Sequence, residues 1–174
     1  GATGAPFAST VHGATPPALA IYRPIGRDRR NRTRMAISDA DGREAVTHAR
    51  RIEDLGRFSL LEVRLETGRT HQIRVHLESI GHPVVGDRVY GRRPDDLGLS
   101  RQFLHAARLA FPHPETGERI EVESPLPDDL RAALERARRE VWMLLSRRGD
   151  GSVRLVRRPA TGVWGGLWAP PEFP

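Results

Sequence analysis

The chain has no cysteine, no lysine, few aromatic residues and no long apolar run. Each absence excludes something. Without cysteine there is neither a disulfide framework nor a thiolate metal site, which fits a reducing compartment. No stretch approaches the roughly 18–20 apolar residues of a helical membrane span. The first residues lack the charged start and apolar core of a signal peptide. A cytoplasmic location with no membrane partner is therefore expected. Without lysine, all 28 basic residues are arginine. Arginine stays charged at any working pH, and its planar fork matches a phosphate. The formal net charge is +6 and the isoelectric point about 11.1, so a polyanionic partner is expected.

What is present suits one domain, or one domain and a piece of another: 174 residues, enough to bury a core. Residues 1–20 are rich in Gly, Ala, Thr and Pro without periodicity and read as a flexible lead. Pro24–Met35, PIGRDRRNRTRM, is a basic loop. Glu44–Ile52 and Arg57–Glu66 read as two strands joined near Asp54-Leu55-Gly56. A helix is expected over His71–Ile80, with Thr70 as its N-cap, Gly81 as its stop, and Ile73, Leu77 and Ile80 facing inward. Strands are expected over Phe103–Phe111 and Arg119–Glu123. A second helix should run from Asp128 to Arg139, its opening aspartates complementing the helix dipole.

Three histidines, His71, His76 and His82, invite a metal reading. His71 and His76 are five apart, on different helix faces, and no carboxylate lies at a metallopeptidase spacing, so no metal is expected. Asp39, Asp41 and Asp54 read as turn residues.

Leu65–Gly91, LETGRTHQIRVHLESIGHPVVGDRVYG, closely resembles a signature segment of the RluA/RluD-type RNA pseudouridine synthases. The Pro-Ile-Gly-Arg start of the basic loop and the Leu-His-Ala, His-Pro-x-Thr-Gly and Pro-Leu-Pro-Asp elements of Phe103–Asp129 resemble the same family. The resemblance covers 21–139. It implies an α+β fold, part of a pseudouridine synthase catalytic domain, with a mixed, mainly antiparallel sheet and flanking helices. It also implies isomerisation of uridine in ribosomal or transfer RNA without a cofactor. Arg74 matches the motif arginine that pairs with the catalytic aspartate. Arg69 and Thr70 are expected to line the same site, His71 to contact RNA, and Tyr90 to sit near the uracil or in the core. Arg27, Arg29, Arg30, Arg32 and Arg34 are expected to contact RNA phosphates.

The family's aspartate lies in an H-R-L-D motif that these residues do not contain. No other carboxylate matches its surroundings; Asp28, set among arginines, is the nearest substitute. The family's active-site tyrosine lacks a counterpart too, since Tyr22 stands in a different context. The expectation is a truncated synthase that is inactive alone. The alternatives are a non-catalytic RNA-binding module and a DNA-repair recognition fragment. The last rests on 140–174, where RRP-x-x-G-x-WGGLW-x-x-PE resembles the opening of the Nudix-like C-terminal domain of MutY-type adenine DNA glycosylases. Such a tail implies duplex DNA as a partner only if completed, and the join is either a natural fusion or an error of reading frame or assembly.

Overall fold

The computed structural model describes residues 6–91, 97–142, 156–157 and 168–169. Strands run over β1 (Phe7–His12), β2 (Ala18–Tyr22), β3 (Ile25–Arg27), β4 (Met35–Ile37), β5 (Val46–Asp54) and β6 (Phe58–Leu65). Helix α1 (Gln72–Ser79) follows, then β7 (Leu104–Ala106), β8 (Arg108–Pro112), β9 (Arg119–Glu123) and helix α2 (Asp128–Trp142). The short strands β10 (Val156–Arg157) and β11 (Trp168–Ala169) pair with each other. The centre is a five-stranded sheet in the order β2-β5-β6-β1-β7, every neighbouring pair antiparallel. β3–β4 and β8–β9 are separate hairpins. The fold is α+β, as the resemblance implies.

The β5–β6 hairpin forms where its apolar alternation places it. Phe58, Leu61 and Val63 are buried, and Asp54 accepts the Gly56 N–H to close the turn. A register shift between Arg51 and Glu53 leaves Ile52 half exposed. Helix α2 sets Leu130, Ala133, Leu134 and Ala137 against the main core, a spacing that lines one face of a helix. Burying a leucine of this kind stabilises by roughly 1.5–3 kcal/mol.

Order begins earlier than the expected flexible lead allows. Residues 7–12 form β1, an inner strand between β6 and β7, with Ser9, Thr10 and Val11 fully buried. The strand escapes sequence reading because small and hydroxyl side chains weaken its apolar pattern. Its place is set by distant partners. The Ser9 hydroxyl donates to the Phe103 carbonyl at 3.1 Å, and the Ser59 hydroxyl donates to Gly13 at 2.9 Å.

The start of α1 also differs. The N-cap residue is His71, with φ 56° and ψ 19°, and no side chain caps the helix; Thr70 does not have the cap role. Gln72 organises the turn instead. Its Oε1 accepts from the Arg69 N–H and the Thr67 hydroxyl, while its Nε2 donates to the Val46 carbonyl and Thr47 Oγ1. Ile73 and Leu77 face the core as expected, but Ile80 is 38% exposed because the helix has ended by then. Val75 enters a second cluster with Ile25, Ala45 and Tyr90, against which Met35 and Ile37 pack, seating the β3–β4 hairpin beside α1. Most of the glycosylase-like phrase of the tail lies outside the described residues. Among the described residues no helix is long and apolar enough to cross a membrane.

Candidate active site around Arg74

Two glycines shape the loop that follows α1. Gly81 ends the helix at φ 83°, and Gly86 turns the chain at φ 72° directly before Asp87. Asp87 is thereby delivered into the interior, its side chain fully buried. It meets Arg74, which projects from the first turn of α1 with 11% of its side chain exposed. The guanidinium donates from Nε to Oδ2 at 2.6 Å and from Nη2 to Oδ1 at 2.8 Å. Oδ1 also accepts the backbone N–H groups of Val89 and Tyr90. Those donors hold the Asp87 carboxyl below its ordinary range even though burial pushes the other way, and the hydrogen bonds to Asp87 raise the pKa of Arg74. Arg74 is therefore already paired within this chain, by Asp87. Its fork is oriented through Nε and Nη2, and Nη1 is left over.

Tyr90 is the floor of this arrangement. It is 2% exposed and belongs to the second core cluster. The Arg74 guanidinium carbon lies 4.8 Å from its ring centroid and that of Arg34 4.9 Å, both within cation–π range. The Tyr90 hydroxyl accepts the Met35 N–H at 2.9 Å and pairs with His71 Nδ1 at 2.9 Å. The structure thus joins Arg34, His71 and Arg74 around one aromatic ring. His71 is the sole non-glycine residue with positive φ among those described. That conformation costs on the order of 1–2 kcal/mol and marks a place held by its surroundings.

The other expected residues sit nearby with looser ties. Arg69 donates from Nε to the Glu44 carbonyl at 3.0 Å. On the β3–β4 hairpin, Arg27 donates to the Arg32 carbonyl and Arg29 lies 3.6 Å from Asp41. Arg29, Arg30 and Arg32 are exposed. Asp28 is a turn-former: its Oδ1 accepts the N–H groups of Arg30 and Asn31, which keep it ionised. Sequence reasoning missed the Arg74–Asp87 pairing; the one signal for it was the G-D-x-x-Y spacing inside the signature segment.

The three histidines go three ways. His71 joins Tyr90, and His82 pairs through Nδ1 with the His12 carbonyl. His76 is fully buried: Nε2 donates to the Arg23 carbonyl at 2.9 Å, and Nδ1 accepts the Thr47 hydroxyl at 2.8 Å. Burial is the main cause that lowers its pKa from the ordinary 6.5, so the folded chain keeps it neutral while the unfolded chain takes up the proton more readily. Stability should then fall as pH drops below about 6.5, by up to ~1.4 kcal/mol per pH unit for one proton. His71, shifted in the same direction, adds to that loss. Urea titrations from pH 8 to 5 test this. The slope should lessen in His76→Gln, and a flat wild-type profile would contradict the buried neutral imidazole.

A profile of the RNA pseudouridylate synthase family matches residues 9–79, spanning β1 to α1. An uncharacterised RNA pseudouridine synthase of Chloroflexus aurantiacus is 55% identical over 128 residues, 74% of this chain and 40% of that protein. The ribosomal large subunit pseudouridine synthase D of Zymomonas mobilis is 48% identical over 118 residues, 63% of this chain and 37% of that protein. Among solved structures, human RNA pseudouridylate synthase domain containing 1 superposes with a TM-score of 0.61 at 30% identity, covering 70% of this chain and 54% of that one. The chain belongs to the RluA/RluD-type RNA pseudouridine synthase family. It spans 40% of the length of the Chloroflexus relative, 37% of the Zymomonas one and 54% of the human structure.

Proposed function

We propose that this chain is the part of an RNA pseudouridine synthase that carries the arginine side of the active site and an RNA-gripping hairpin. The carrying observation is Arg74, held by a buried carboxylate within the family's signature segment. Pseudouridine formation breaks the bond between ribose and a base nitrogen, turns the base, and rejoins it through carbon. An ionised aspartate is required, and a guanidinium beside it keeps it ionised and oriented. Arg74 has that role toward the aspartate of an H-R-L-D motif, through the donors that Asp87 leaves over. Asp87 itself is a poor nucleophile: fully buried, with four donors on its two oxygens. Asp28 serves its own turn on the hairpin.

Extruding the target base from its stack costs a few kcal/mol, which phosphate contacts help to offset. Arg29, Arg30 and Arg32 project from the loop of the β3–β4 hairpin for those contacts, with Arg27 at the end of β3 where that loop begins and Arg69 and Thr70 at the turn before α1. Ribosomal RNA is the favoured substrate, because several relatives are named as ribosomal large subunit pseudouridine synthases. Two measurements test the reading. RNA affinity should fall steeply with salt, and replacing both Arg30 and Arg32 by alanine should lower the slope by about 0.7 per lost phosphate contact on single strands. Uridine-labelled ribosomal RNA should yield no pseudouridine with these residues alone, and Arg74-dependent product once a segment bearing the H-R-L-D motif is supplied. Salt-dependent binding without Arg74-dependent product would favour the non-catalytic RNA-binding module. No RNA binding at low salt would remove both.

A further inference from the structure

His71 combines a left-handed backbone, a ring fixed by one hydrogen bond, and a free polar edge. Its Nδ1 lies 2.9 Å from the Tyr90 hydroxyl, and the two rings meet edge to face at 5.6 Å. The Tyr90 hydroxyl already accepts the Met35 N–H. Its own hydrogen needs an acceptor, since Tyr90 is 2% exposed and an unsatisfied buried hydroxyl is costly. His71 Nδ1 is the acceptor in place. The ring hydrogen of His71 is thereby assigned to Nε2, and the imidazole cannot accept there. Nε2 has no protein partner among the described residues and is not one of the sealed, unpartnered atoms. Burial, and then the charge of Arg74, disfavour the imidazolium, so the donor is a neutral one. The result is a single N–H beside Arg74 that can give a hydrogen bond and cannot take one.

We infer that His71 is a specificity-determining residue: its Nε2–H is a tautomer-locked donor that takes a carbonyl oxygen of the substrate base, the O4 of uracil, and turns away the amino group that cytosine carries at that position. This rests on the reading of the site as one that receives a flipped uridine. An extruded base is read by hydrogen bonds to its exposed edge, and two donors facing each other leave both unsatisfied. His71 makes its contact with the Tyr90 hydroxyl from a left-handed backbone, φ 56°.

The experiment uses the full 174-residue chain. Imidazole 15N spectra at pH 7 should show His71 with a pyridine-like Nδ1 and a protonated Nε2, and Tyr90→Phe should mix the two tautomers. UMP and CMP are then titrated separately to millimolar concentration, following the His71 Nε2–H and the Arg74 Nε–H signals. UMP should shift the His71 signal and bind roughly three- to tenfold more tightly than CMP, the value of one neutral hydrogen bond. In H71N both nucleotides should still perturb Arg74 while the preference disappears. Asparagine tolerates the left-handed backbone, so this variant keeps the fold. A protonated Nδ1, equal binding of the two nucleotides, or binding of neither overturns the inference. Salt-dependent RNA binding that persists alongside any of those results would leave the synthase reading standing; loss of RNA binding itself would count against that reading instead.

Discussion

Replacing Arg74 by methionine is expected to lower the unfolding free energy by about 3–5 kcal/mol, because it strands a buried carboxylate. Asp87 has no exposed side-chain surface and would keep only the N–H groups of Val89 and Tyr90. The pH dependence gives the sign. In the native chain the folded pKa of Asp87 lies below its ordinary 3.8. The pair's contribution is therefore complete above that value and lost as pH falls through the folded one. In R74M burial, the largest single influence, is opposed only by the two backbone N–H groups and pushes the Asp87 pKa up from its native position. The carboxyl then becomes neutral in mild acid, and the deficit against wild type should shrink between pH 7 and pH 4.5. Urea unfolding of both proteins at the two values measures this. A loss below ~1 kcal/mol at pH 7, the range of an exposed ion pair, would mean that solvent reaches Asp87 and that Arg74 is not rigidly presented.

Gly86→Ala should destabilise by roughly 2–5 kcal/mol, the sum of a left-handed backbone and overpacking. Gly86 has φ 72°, and a Cβ there would fall 2.2 Å from the Arg101 carbonyl oxygen and 3.1 Å from Leu99 Cβ. A backbone carbonyl cannot turn aside as a side-chain tip can, so the loop must shift. Asp87 is the next residue, and displacing it disorients Arg74. The variant should therefore show both a lower urea midpoint and a broadened Arg74 Nε–H signal. Gly68→Ala is the control: nothing lies within 4 Å of its Cβ position, and stability should change by less than about 0.5 kcal/mol. Equal behaviour of the two variants would show that the close approach at Gly86 is relieved at no cost.

Much of the chain was legible in order of residues alone. The β5–β6 hairpin, α1 and α2 follow from patterns written within ten or fifteen neighbouring residues, and they form close to where those patterns place them. Arg74 stood out through its signature segment before any contact was known. The all-arginine charge pointed to phosphate in the same way. These features are local, or are carried by residue identity, so no partner from elsewhere is needed to read them.

Tertiary structure decided the rest. β1 became an inner strand only because β6 and β7 present free edges on either side of it; its own small residues carry little apolar signal. His71, rather than Thr70, became the N-cap because the Gln72 side chain satisfies the Arg69 N–H and the Tyr90 hydroxyl holds the His71 ring. Tyr90 went inside as the ring under two guanidinium groups. Asp87, which reads as one more loop aspartate, became the buried partner of an arginine thirteen residues away. The sequence by itself determined which charges and which short elements this protein has. The packed fold decided which charge meets which, because desolvation and hydrogen-bond geometry exist only once distant segments close over the same few groups.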